Sequence, residues 1–77
     1  MTLDEALRFV KLEMEEAERV WPVWPQDVIH QAAIVGEEAG ELIEAAVSLT
    51  YDQGTAGAIR DEAIHTAAMA LRLLLHL

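Results

Sequence analysis

Interruptions in a helical pattern fix the outline of this chain. Apolar residues recur at three- and four-residue steps, and two stretches break them. The first, Trp21-Pro22-Val23-Trp24-Pro25, holds both prolines; the second, Tyr51-Asp52-Gln53-Gly54-Thr55-Ala56-Gly57, holds two of the four glycines. Proline lacks an amide hydrogen and pushes the residue before it toward extended backbone, so Pro22 ends any helix that reaches it. Glycine and small polar residues do the same work in the second stretch. No run alternates apolar and polar residues for long enough to make a strand. Thirteen alanines, with many leucines and glutamates, supply strong helix formers. The expectation is an all-α, antiparallel bundle of about three helices, a single domain over residues 1–77.

The first helix is expected from about Leu3 to Val20. Thr2 and Glu5 have capping-box spacing, and Leu3, Ala6, Leu7, Val10, Met14, Ala17 and Trp21 form one apolar stripe. A second is expected to start near Pro25, with Asp27 in its first turn, and to continue to about Leu49. A third is expected from about Ala58 to the end. Its apolar residues, Ile59, Ala63, Ile64, Ala67, Ala68, Ala70, Leu71, Leu73, Leu74, Leu75 and Leu77, cover most of its circumference. A lone three-helix unit offers nothing to cover that excess, so the bundle is expected to be completed by homo-oligomerisation. A chain of 77 residues without cysteine also lacks disulfide or thiolate-zinc staples, which leaves a metal or a partner subunit.

Charge narrows the function classes. Fourteen acids against five bases give a net charge of −9. A nucleic-acid backbone or an anionic membrane surface calls for a basic patch, so neither is an expected partner. No apolar run approaches a membrane span, and the opening Met1-Thr2-Leu3-Asp4-Glu5 lacks a signal pattern, so a cytoplasmic protein is expected.

Two acidic clusters contrast. In the first helix Glu13, Glu15, Glu16 and Glu18 interleave with Lys11 and Arg19, and the pairs Lys11–Glu15 and Glu15–Arg19 can meet at i,i+4. That cluster reads as a solvated face. In the second helix Glu37, Glu38, Glu41 and Glu44 fall within eight residues with no lysine or arginine among them. Glu37, Glu41 and Glu44 lie within about 60° of arc, a like-charge crowding that a bound cation would relieve. Gly36 and Gly40 on the same helix imply close approach by another helix, and hence a central position for it. The third helix carries Asp61, Glu62 and His65. Glu38–Glu41 and Glu62–His65 are both spaced i,i+3, and two such pairs on facing antiparallel helices can converge on one metal ion. Oxygen-rich ligands select Mg²⁺ or Mn²⁺. The bland alternative for Asp61 and Glu62 is that they solvate the start of the third helix.

The segment Gly36-Glu37-Glu38-Ala39-Gly40-Glu41-Leu42, with Glu62-Ala63-Ile64-His65 following so that 20 residues intervene between Glu41 and Glu62, resembles the Glu-Glu-x-x-Glu and Glu-x-x-Asp signatures of the all-α NTP pyrophosphatases, the MazG-like superfamily. The resemblance covers roughly residues 20–75. It implies a helical dimer or tetramer that hydrolyses a nucleoside triphosphate to the monophosphate and pyrophosphate with Mg²⁺ (or Mn²⁺). By position, Glu38, Glu41, Glu62 and His65 would be metal ligands, and Glu37 would activate the attacking water. His65 stands where the family has aspartate. Asp61 could compensate near the substrate; otherwise the site would be weaker, turn to Mn²⁺ or lose activity. Base recognition would fall to Trp21 or Trp24 by stacking, with His30, although packing between the first two helices is the competing role for both indoles. Arg60 and Arg72 could contact phosphates, although surface pairing is the expected role for both. Family domains are usually longer, so the pocket would depend on a neighbouring subunit. Two alternatives stand beside this expectation: a phosphoribosyl-ATP pyrophosphohydrolase-like enzyme, and a catalytically impaired helical oligomer.

Overall fold

The computed structural model describes residues 1–77 and contains three helices and no strand: α1 (Leu3–Val20), α2 (Val28–Tyr51) and α3 (Ala56–Leu75). No helix is long and apolar enough to cross a membrane. The first helix keeps its expected bounds. Thr2 Oγ1 accepts from the Glu5 amide and Glu5 Oε1 from the Thr2 amide, both at 3.1 Å, which closes the capping box.

The other two helices shift by two or three residues, and caps decide where they start. Asp27, extended at φ −73° and ψ 121°, accepts from the Ile29 amide at 3.1 Å, so α2 opens after it rather than at Pro25. Pro25 stays in the link, where its carbonyl accepts from Gln31 Nε2 at 2.8 Å. At the far end the Ser48 carbonyl accepts from the amides of Asp52, Gln53 and Gly54, folding the chain back within four residues. Gln53 takes φ 111° there, a conformation that a side chain adopts only under strain. A Cβ on Gly54 would stand 2.9 Å from the Leu49 nitrogen, so only glycine fits the turn. Thr55 Oγ1 then accepts from the Ala58 amide at 3.2 Å and opens α3 two residues early.

The central helix is α3. It packs against both α1 and α2, which do not pack against each other. It runs antiparallel to α2 and alongside α1 in the same direction. The small core of Met14, Ala68 and Met69 sits on it, flanked by Val10, Ala17, Trp24, Ile34, Val35 and Leu71. Truncating either methionine to alanine would cost about 2–5 kcal/mol, a large share of what so small a core supplies.

This arrangement corrects two expectations. Much of the apolar circumference of α3 is used within the chain, because two helices cover it; the small residues Ala63 and Ala67 and the end at Leu74 and Leu75, with Leu77 beyond it, stay exposed. The uncovered apolar surface lies instead on the outer helices. On α2, Ile29, Ala33, Gly36, Gly40, Ile43 and Val47 form a continuous exposed stripe. Beyond the adjacent backbone of its own helix, nothing lies within 4 Å of where a Cβ would stand on Gly36 or Gly40. The glycines therefore mark an open face, and α2 is peripheral.

Candidate metal centre and adjoining cleft

Antiparallel packing of α2 on α3 sets residues 38 and 41 opposite 65 and 62. One ligand atom each from Glu38, Glu62 and His65 lies within 4.8 Å of the others. His65 Nδ1 stands 3.4 Å from Glu62 Oε2 and 3.9 Å from Glu38 Oε2. Both of those carboxylate oxygens are shielded from solvent and have no hydrogen-bond partner. A shielded acceptor left unpaired is costly, and two of them aimed at one point fit a divalent cation that prefers oxygen. The imidazole adds one nitrogen, which moves the fit from Mg²⁺ toward Mn²⁺.

Glu41 stands at the solvent side of this group. The Glu38 charge above all, then a hydrogen bond with Glu62 and the Glu62 charge, with desolvation and Glu44 adding to them, hold its carboxyl above the ordinary 4.5. Like charges this close resist ionisation together. Glu16 of α1 behaves in the opposite way. Arg19 grips Glu16 through two hydrogen bonds, one of them Nε to Oε2 at 3.0 Å, and holds that carboxyl below 4.5. The pair is i,i+3; the expected partners at i,i+4, Lys11–Glu15 and Glu15–Arg19, do not form ion pairs.

Glu37 points elsewhere. It lines, with Glu38, Trp21, Trp24 and His30, a cleft of about 480 Å³ under the link between α1 and α2. The four substrate-side residues expected from sequence thus divide: Trp21, Trp24 and His30 share this cleft, and Asp61 does not. Asp61 is exposed in a groove between α1 and α3 with Phe9, Glu13 and Glu16, and its nearest cation is Arg60 at 3.9 Å. It faces α1 because it is one residue off the face of α3 that carries Glu62, and it adds nothing to the ligand set.

The two indoles also differ. Trp21 is 71% exposed at the cleft mouth and does not pack between helices. Trp24 is half-buried, with the Arg72 guanidinium 4.7 Å from its ring centroid and the His76 ring 5.7 Å away. Arg72 itself overturns its expected surface role. It is 3% exposed, and its Nη2 donates to the Trp21 carbonyl at 2.7 Å. The proline-stiffened link lies over the end of α3 and buries the arginine against Trp24. Its Nε and the Trp24 Nε1 are shielded donors without partners, both beside the cleft.

One residue near the centre was read from the sequence as solvated. Glu13 of α1 is half-buried, with its Oε1 3.5 Å from His65 Nε2. The available signal was its spacing from Val10 and Ala17, which puts it on the edge of the buried stripe. Its partner, 52 positions on, had no such signal. The chain matches no protein-family model, no curated protein and no solved structure.

Proposed function

We propose that this protein is a divalent-metal-dependent nucleotide pyrophosphohydrolase of the MazG-like kind, converting a (deoxy)nucleoside triphosphate to the monophosphate and pyrophosphate. The observation that carries the reading is the convergence of Glu38, Glu62 and His65, with two shielded carboxylate oxygens unpaired and Glu41 crowded beside them. Glu38, Glu41, Glu62 and His65 would hold Mg²⁺ or Mn²⁺. When bound, that ion supplies neutralising charge for the phosphates and lowers the pKa of a coordinated water.

The rest of the chemistry falls to the chain's own side chains. Glu37, which lines the cleft together with Glu38, would take a proton from the attacking water. The water oxygen bonds to the α-phosphorus as the bond to the bridging oxygen of pyrophosphate breaks. The cleft is apolar on its Trp21, Ile34 and Met69 sides, which suits the flat face of a base, and His30 lies at its edge. Trp24 serves as a wall, since Arg72 already lies against its ring.

The functional unit in this reading is a dimer or tetramer. The open stripe on α2 and the exposed leucines of α1 and α3 are the supporting surfaces. Sedimentation as a monomer at micromolar concentration would remove that part.

Release of pyrophosphate from a panel of nucleoside triphosphates, with Mg²⁺ or Mn²⁺, tests the activity. Turnover of at least one substrate, greater with Mn²⁺, is the expected result; none with any substrate at high protein concentration overturns it. A second reading rests on His65, whose imidazole replaces a charged ligand: a bundle that kept the site and lost the reaction. It requires Mn²⁺ to raise the melting temperature without turnover, and His65→Asp to restore turnover.

A further inference from the structure

His65 is the point at which all three helices meet. One ring nitrogen faces Glu38 of α2 and Glu62 of its own helix, and the other faces Glu13 of α1. An imidazole binds a metal through a nitrogen that has no proton, so the opposite nitrogen must carry one and needs an acceptor. Glu13 offers that acceptor at 3.5 Å, and neither Lys11 nor Arg19 pairs with it: Arg19 is engaged by Glu16.

We propose that Glu13 is a positioning residue: it accepts the Nε2 proton of His65 and so aims the Nδ1 lone pair at the point shared by Glu38 and Glu62. The inference deepens the metal-centre reading and rests on it. A carboxylate in this place fixes the tautomer, holds the ring's orientation and makes the coordinating nitrogen more basic. It also gives α1, which packs only on α3, a direct role in a site built from the other two helices.

The test is Mn²⁺ binding to the full chain, read as the loss of free-ion paramagnetic resonance, together with the spin-echo modulation that a coordinated imidazole nitrogen imposes on bound Mn²⁺. Wild type should show both binding and the nitrogen signal. Glu13→Gln keeps an acceptor oxygen and should retain the signal. Glu13→Ala should lose the signal, with Mn²⁺ affinity falling about 10- to 100-fold. Glu13→Leu, which keeps side-chain bulk without an acceptor, should lose both equally while circular dichroism shows intact helices. An unchanged nitrogen signal and affinity in folded Glu13→Ala or Glu13→Leu overturns the proposal and leaves the metal centre standing. Wild-type binding without any nitrogen signal also overturns it, while the carboxylate ligands survive. No Mn²⁺ binding in wild type overturns both.

Discussion

Two acidic regions, one interleaved with bases and one without them, behave oppositely in this fold. On α1, Glu16 meets Arg19 and its carboxyl is held low; on α2 and α3, Glu41 meets Glu38 and Glu62 and its carboxyl is held high. The first region stabilises the fold by ordinary pairing at the surface. The second gathers like charges where two helices pack, and leaves shielded oxygens unpaired. The like charges of Glu38 and Glu62 that raise the Glu41 pKa are a standing cost to the metal-free fold, and such costs concentrate where a ligand is held. The difference lies in what faces each acid: Glu16 meets a guanidinium, whereas Glu41 meets other carboxylates.

Breaking one region at a time separates them. The largest effect is expected from Glu62→Gln, which should lower pyrophosphate release by roughly 10²- to 10³-fold through loss of a ligand, while Glu16→Gln leaves turnover unchanged. Steady-state rates at saturating Mn²⁺ check this; equal losses in both variants would erase the distinction.

The regions should also give opposite pH slopes without metal. Glu41 has a folded-state pKa above its unfolded value, so its contribution to stability is complete below pH 4.5 and is lost as pH rises through the raised pKa. Glu41→Gln should therefore melt higher than wild type near pH 7 in chelator, with the gap closing below pH 4.5. Glu16 has the reverse sign: its contribution is present above 4.5 and is lost as pH falls through the lowered pKa. Glu16→Gln should melt slightly lower at pH 7 and match wild type in acid. Thermal melts across pH at low salt read both slopes.

The smallest expected effect is the salt sensitivity of the Glu16–Arg19 pair. Both side chains are more than half exposed, so added salt should abolish the difference between Arg19→Ala and wild type. A difference that persists in high salt would mean that the pair acts through packing.

Much of this was legible along the chain. Thr2 and Glu5 announce the start of α1, and the two breaks mark three helices, since caps and prolines act within a few residues. The i,i+3 spacings of Glu38–Glu41 and Glu62–His65 held enough information to anticipate that they face each other, because a short turn makes antiparallel neighbours. The places of Glu13 and Arg72 were not legible. A glutamate among charges looks solvated, and an arginine near a helix end looks like a surface cation, until another segment covers it.

Local backbone chemistry, which depends on neighbours in sequence, determined the three helices and their acidic faces. Which helix became central was decided by tertiary packing: α3 covers itself with both partners, and α2 keeps Gly36 and Gly40 open to solvent. The same packing brought α1 to His65, because burial depends on the sum of contacts from distant segments and no single helix encodes that sum.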